Sequence, residues 1–304
     1  MSMSMKKQAN PVPAYAFGKR RGASVLMDRL FTGLVWGVGI VVILFIIGLL
    51  FLLLEKGLPQ LSWDFLYGLP SEIEEGGGIG PALFNSFYVL FISLLISIPI
   101  GLAAGIYLAE FAPNNKLIEI VRICVEGLSS VPSIIFGLFG IALFVEFFEI
   151  GLTILGAAVS LAFLNLPVLT RVTEESIRAV PVELRNASFA LGSTHLQTIR
   201  RVLLPVAMNG IMTGICLTAG RAFGESAVII LTAGVSTSGE MWDFNLFSPG
   251  GTLAVHLWYV QSEAIVPDAQ EIAQKTTAVL IFFALLINIV FRVPLWLNTR
   301  KNQA

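Results

Sequence analysis

The chain has 304 residues, 56% of them hydrophobic and only 13% charged, with 28 glycines among the rest. Soluble domains carry about 25% charged residues, so this composition excludes an ordinary water-soluble enzyme, and its surplus of apolar surface excludes intrinsic disorder. The formal net charge of −1 points to no partner in bulk; the placement of the charges is what informs.

A bilayer core about 30 Å thick needs roughly 20 apolar helical residues. Runs free of Asp, Glu, Lys and Arg predict six spans, at 30–54, 76–109, 127–145, 150–170, 202–220 and 276–291. The third run starts as early as Leu117 on one reading, the fifth continues past Arg221 and Glu225 towards Ser238, and 293–297 lengthens the sixth. The expected organisation is a basic tail (1–29), a six-span domain (30–297) that includes a long loop (171–205), and a short tail (298–304). The apolar run after the basic tail is too long for a cleaved signal, so it reads as a retained anchor.

Within this frame Gly76–Gly77–Gly78 followed by Pro81 predicts a turn feeding the second span. No Gly-Lys-Ser/Thr follows, so it is not a phosphate-cradling loop. Pro99 and Pro132 predict kinks. Gly101-xxx-Gly105 and Gly210-xxx-Gly214 have the spacing that permits close helix approach, a spacing also common by chance. Cys124 and Cys216 fall in or beside spans and read as two buried thiols, with no disulfide or metal site.

Sorting Lys and Arg by loop gives the orientation. With the N-terminus in the cytoplasm, 16 of the 19 fall inside, only Lys56 and Lys275 outside, and Arg221 within a span. The outside loops are acidic, with Glu72, Glu74, Glu75, Glu146, Glu149, Glu240, Asp243, Glu263, Asp268 and Glu271. Both termini are therefore expected in the cytoplasm, on a multi-pass membrane chain.

The stretch 171–205 is charged yet patterned as two short helices. Pro181 suits a first helical turn, Gly192 a left-handed stop, and Thr194 with Gln197 a capping box. A helix–break–helix with small residues on one face can seat in a partner's groove, or simply pack on its own membrane domain. At the mouth of span four, Arg171, Glu174 and Arg178 are three and four apart and lie along one face. Arg178 reads as a surface salt bridge.

Arg221 and Glu225 are also four apart, which on a continuous helix shares a face. A charge within a span costs at least about 2.5–3.5 kcal/mol and faces a bundle interior or a watery cavity. The two residues form either a mutually neutralising pair or an anion station. In the second case Arg221 meets an oxyanion with its planar fork, and Glu225 holds the guanidinium. His195 reads as a capping or docking residue and His256 as a packed or hydrogen-bonded one; neither has metal-ligand company.

A resemblance sharpens these readings. Asn186-Ala187-Ser188, three residues, Gly192, nine residues, then Val202, Leu203 and Leu204-Pro205 is similar in spacing to the "EAA" loop of ABC importer permeases. That pattern begins Glu-Ala-Ala, so Asn186 and Ser188 depart from it. Residues 131–139 (VPSIIFGLF), 77–82, 106–110 (IYLAE) and 220–225 (GRAFGE) resemble signatures of the phosphate-specific permeases. Residues 253–258 (LAVHLW), with Ser262-Glu263, look like the PstA branch rather than PstC, although Ser226-Ala227-Val228 departs from the usual Thr-Ala-Pro.

The resemblance implies an all-α, polytopic membrane protein of the type I ABC importer permease fold that is not itself an enzyme. It implies a PstC-like permease as partner, two copies of a PstB-like ATPase carrying ATP and Mg, and a PstS-like phosphate-binding protein. No cofactor is bound by the chain itself, and its surroundings are membrane lipid rather than nucleic acid. It assigns Arg221, Glu225, Arg171 and Glu174 to the substrate path. Arg185, Asn186, Ala187, Ser188, Leu191 and Gly192 fall to coupling with the ATPase. The alternatives are another oxyanion importer, for sulfate or molybdate, and a self-sufficient secondary transporter. The latter predicts inverted repeats and coupling carboxylates in the membrane; no convincing repeat is visible. A membrane-embedded enzyme would need a catalytic constellation that the spans lack.

Overall fold

The computed structural model describes residues 22–71 and 75–301, with side chains described over 26–71 and 75–293. Lys6, Lys7, Lys19, Arg20, Arg21, Glu72, Glu74 and the last three residues of the expected tails lie outside the described residues. The regular secondary structure of the described residues is helical, apart from one isolated antiparallel bridge between Thr237 and Gly250.

Helix α1 (Gly22–Gly57) forms a unit of its own up to Leu52. Successive residues of an α-helix point about 100° apart. Val41, Val42, Ile43 and Leu44 therefore point to all sides, and all four are exposed. A helix apolar all round is a membrane span or lies deep in a core, and this one has the length and hydropathy to cross a bilayer.

From Leu53 onward a second unit begins. Ser62 caps the short α2 (Trp63–Tyr67) through its hydroxyl, which accepts from the Phe65 amide at 3.2 Å. The glycine run makes the expected turn. Gly76 and Gly77 have φ of 95° and 102°, the Gly78 amide donates to Leu69 at 2.8 Å, and Pro81 sits in the first turn of α3 (Gly80–Ile106). A π turn, Tyr107–Phe111, prolongs α3.

The third apolar run is not one straight span. It divides into α4 (Lys116–Ser129) and α5 (Ser133–Gly140), the latter prolonged by a π segment (Ile141–Phe147), with a bend of 95° at the break. Pro132 explains the break: it disfavours a helical conformation at Val131 and itself has an extended ψ of 137°. Asn115 caps α4, accepting from the Ile118 amide at 3.0 Å. Cys124, expected buried, is exposed on α4, whereas Cys216 is buried with its Sγ 3.4 Å from Asn288 Oδ1.

Helix α6 (Ile154–Arg178) carries Arg171, Glu174 and Arg178 in its last turns, so the fourth span extends into what the sequence suggested was loop. The loop proper holds α7 (Val182–Ala190) and α8 (His195–Thr198). Through a π segment, Ile199–Leu203, α8 runs without a break into α9 (Leu204–Phe223). The second of the two expected short helices is thus the beginning of span five. After α9 come α10 (Ala227–Ala233), α11 (Leu253–Ser262) and α12 (Ala269–Lys301). By length and composition five helical stretches among the described residues can cross a membrane, or six where the bent pair α4/α5 counts as one broken span.

Helix α6 is central, with Ile154, Leu161, Leu169 and Ile177 wholly or almost wholly buried. Both glycine pairs pack against it, from different helices. A Cβ at Gly101 would lie 2.7 Å from the Leu169 Cβ, and one at Gly105 would lie 2.5 Å from that of Thr173. A Cβ at Gly214 would lie 2.5 Å from Val172 Cγ1, and one at Gly210 would overlap the Ser176 side chain. Small residues replace side-chain contacts by backbone approach, the packing mode open to helices that gain no hydrophobic drive in lipid.

Candidate functional site

The charged cluster at the end of α6 is a two-rung ladder to α4. Arg122 Nε donates to Glu174 Oε1 at 2.7 Å, and Arg171 Nη1 donates to Glu126 Oε2 at 3.3 Å. The signs are crossed: the rungs leave α4 four residues apart and α6 three apart, the spacings at which helical side chains stand one above another. Arg122 also donates to the Leu108 carbonyl at 2.9 Å, Arg171 to Glu175 at 2.5 Å, and Arg178 pairs with Glu174 at 3.2 Å. Arg171 and Glu174 do not pair with each other; each holds a residue of α4.

Glu174 is the buried member, and Arg122 is 19% exposed against 49% for Arg178. Glu174→Gln leaves the Arg122 guanidinium without a carboxylate, while Arg178 stays hydrated. Removing one partner of a buried ion pair costs about 3 kcal/mol or more. The expected result is a clear drop in the thermal unfolding midpoint of the detergent-purified chain; a midpoint within one degree of wild type refutes it.

The loop folds on itself and on the end of α3. Gly192 takes φ of 80° and stops α7, as its position suggests, and nothing lies within 4 Å of its Cβ position. The Thr194 hydroxyl accepts from the Gln197 amide at 3.3 Å, and the Thr194 amide donates to Gln197 Oε1 at 3.0 Å, completing the capping box. Ser188 is buried 2.9 Å from Thr198, hydroxyl to hydroxyl, so one of the two residues that depart from the family pattern bonds inside the loop. Arg185 also turns inward, its Nη2 2.5 Å from Glu110 Oε1. His195 approaches the other oxygen of Glu110 at 3.2 Å. Of the residues expected to couple, Asn186, Ala187, Leu191 and Gly192 remain exposed. Leu191 is 87% exposed, with Val182, Leu184, Phe189 and Leu196 exposed beside it.

Arg221 and Glu225 do not form the expected pair. Helix α9 ends at Phe223 with Gly224 as its C-cap, so Glu225 falls in the break before α10 instead of on the same helical face. Among the described residues neither side chain has an ion-pair or hydrogen-bond partner. Arg221 is exposed in the last turn of α9, where the helix dipole favours a cation. At 1.5 Å per residue it stands roughly 40 Å along the helix from His195, towards the end opposite the loop. Asn209, Thr213 and Leu217 precede it at intervals of four, and all are exposed. This interrupted polar stripe runs along the outer face of a membrane helix.

His256 is half-buried, and desolvation pushes its pKa down to about 4, favouring the uncharged ring. Its Nδ1 has no hydrogen-bond partner among the described residues, and it lines a cavity of about 250 Å³ with Gly76–Gly78, Thr237 and Tyr259. The sequence reading missed Glu110, Arg122 and Glu126. The four-residue spacing of Arg122 and Glu126, on a helix that also carries Lys116 and Glu119, was the available signal.

A central helix clasped through glycines, bent and broken apolar segments, and a compact helical loop at the end of two spans together define a multi-span membrane permease subunit. Residues 101–302 match the family described as "Binding-protein-dependent transport system inner membrane component", and the chain belongs to that family. It is 43% identical over 284 residues to the "Probable ABC transporter permease protein YqgI" of Bacillus subtilis (strain 168), covering 90% of this chain and 96% of that one. It is 34% identical over 267 residues to the "Phosphate transport system permease protein PstA" of Haemophilus influenzae, covering 88% and 93%. Among solved structures it shares its fold with a chain of a bacterial ABC transporter "involved in the import of the acidic polysaccharide alginate". There the TM-score is 0.58 at 14% identity, covering 90% of this chain and 99% of that one. The chain is therefore an all-α ABC importer permease, a translocation subunit and not a catalytic enzyme.

Proposed function

We propose that this chain forms half of the path for inorganic phosphate in an ATP-driven importer of the bacterial cytoplasmic membrane, with both termini in the cytoplasm. A second, PstC-like permease supplies the other half of the path. Two PstB-like ATPase subunits carry ATP and Mg, and a PstS-like protein delivers phosphate to the outer face. Residues 30–297 constitute the permease domain.

The exposed stripe Asn209–Thr213–Leu217–Arg221 carries this reading. Lipid solvates neither an amide nor an unpaired guanidinium, so the stripe has to face water or a protein partner. A guanidinium with free donors suits a tetrahedral oxyanion, which accepts from it bidentately. The relatives named for phosphate transport support phosphate as that oxyanion. Arg221 then stands on the path, with Glu225 in the break beside it. Arg171 and Glu174 act at the path's inner end by holding α4. The exposed residues Asn186, Ala187, Leu191 and Gly192 face the ATPase, with Arg185 and Ser188 holding the loop in shape behind them.

Purifying the tagged chain from its native membrane in mild detergent tests the assembly, with partners identified by mass spectrometry. Recovery of an ABC ATPase and a different permease supports the reading, and reproducible recovery of the folded chain alone returns it to a self-sufficient transporter. Leu191→Glu places a charge on the most exposed apolar residue of the loop without touching the fold. It is expected to lower ATPase recovery about tenfold, the effect of losing one good contact of about 1.4 kcal/mol. Unchanged recovery would move the docking face elsewhere. Uptake of labelled phosphate, with sulfate or molybdate as competitors, tests the substrate: equal competition by either assigns the path to oxyanions in general.

A further inference from the structure

We propose that Glu110 is the positioning residue through which movement of the loop reaches the spans. The inference rests on the reading that the loop docks on an ATPase, and it concerns what lies behind the docking face. Glu110 sits in the π turn that ends α3, and its side chain is only 4% exposed. Its two oxygens serve different helices. Oε1 takes the Arg185 guanidinium from α7 at 2.5 Å, and Oε2 takes the His195 ring from the start of α8 at 3.2 Å. The His195 ring is further fixed beside Phe111, at 4.8 Å between centroids, and Phe189, at 6.1 Å.

The loop is braced from within. Ser188 bonds to Thr198 across it, and the capping box closes the start of α8. In the proposed mechanism the braced pair moves as one body, and one buried carboxylate holds both its members to α3. A displaced loop must then either carry Glu110 along or leave a carboxylate buried and unpaired, which is strongly unfavourable. Carrying Glu110 moves the end of α3, and α3 meets the central helix through Gly101 and Gly105 with almost no slack. The chain of contacts runs from loop to Glu110, to α3, to α6.

The test uses the complete importer, reconstituted in liposomes with its binding protein, comparing phosphate moved with ATP hydrolysed. Glu110→Gln preserves shape and removes the charge. The assembled complex is expected to keep hydrolysing ATP while phosphate moved per ATP falls about tenfold, within the usual range of coupling between sites. Exchanging the charges, Glu110→Arg with Arg185→Glu, is expected to recover part of that ratio, which a residue that merely fills space would not do. An unchanged ratio in Glu110→Gln overturns the inference. So does a loss of assembly in that variant that the charge exchange leaves unrelieved. If instead no ATPase accompanies the wild-type chain, the docking reading fails first and takes this one with it.

Discussion

Under the proposed function, Arg221→Gln is expected to reduce phosphate uptake about 100-fold or more while the complex still assembles. A charge-assisted hydrogen bond contributes about 1.5–3 kcal/mol, and a guanidinium offers two to one oxyanion. Losing even the lower sum of about 3 kcal/mol corresponds to roughly a hundredfold. Assembly survives because Arg221 holds nothing together: it has no partner among the described residues and sits exposed in the last turn of α9. Its removal even spares the cost of a charge at a membrane helix. Arg221→Lys is the informative companion. A point charge without the planar fork restores attraction but not bidentate geometry, so uptake is expected between the two extremes. The measurement is labelled phosphate uptake in cells lacking the native chain, normalised to permease and ATPase recovered in the membrane. Wild-type uptake in Arg221→Gln removes the residue from the path. Equal loss of uptake and assembly makes it a structural residue.

The spans were legible in the sequence because a bilayer imposes a length and a composition, and α1, α3, α6, α9 and α12 meet both. So were the local signals that act within a few residues: the glycine turn before Pro81, the stop at Gly192, the capping box at Thr194. What the sequence concealed depends on breaks and on partners far along the chain. Pro132 announced a kink, but a kink and a 95° division into two helices look alike in a string of letters. Four-residue spacing put Arg221 and Glu225 on one face only if the helix continued, and Gly224 ends it. Arg171 and Glu174 looked like a motif on one helix, whereas each is defined by a residue of α4, 45 or 52 positions away. Glu110 lay inside a recognised stretch, IYLAE, yet its meaning comes from Arg185 and His195, 75 and 85 positions on. Ser188, a departure from the family pattern, becomes intelligible only when Thr198 stands opposite it.

The second large effect concerns the clasp around α6, and its sign is what makes it decisive. Gly105→Ala is expected to destabilise the detergent-purified chain, whereas Gly127→Ala on α4 stabilises it. Both sites are helical, and replacing an exposed helical glycine with alanine gains roughly 0.5–1 kcal/mol in propensity. Gly127 has nothing within 4 Å of its Cβ position, so it keeps that gain. At Gly105 the new methyl lies 2.5 Å from the Thr173 Cβ, 2.7 Å from its Cγ2 and 2.8 Å from the Thr170 carbonyl oxygen. Two of these are fixed by the α6 backbone and cannot rotate away, so α3 itself has to withdraw. Overpacking of this kind costs typically about 1–3 kcal/mol, more than propensity returns. Gly105→Leu extends the clash to a whole side chain and is expected to leave little monodisperse protein. The α9 side of the clasp offers a milder comparison. Gly210→Ala meets the Ser176 hydroxyl, which can turn aside by giving up its bond to the Val172 carbonyl, and the Ser176 Cβ only at 3.0 Å, so its loss is expected to be smaller than that at Gly105. Thermal unfolding of the three alanine variants in one detergent ranks them directly. A midpoint for Gly105→Ala at or above that of Gly127→Ala would mean that α3 and α6 are not in backbone contact.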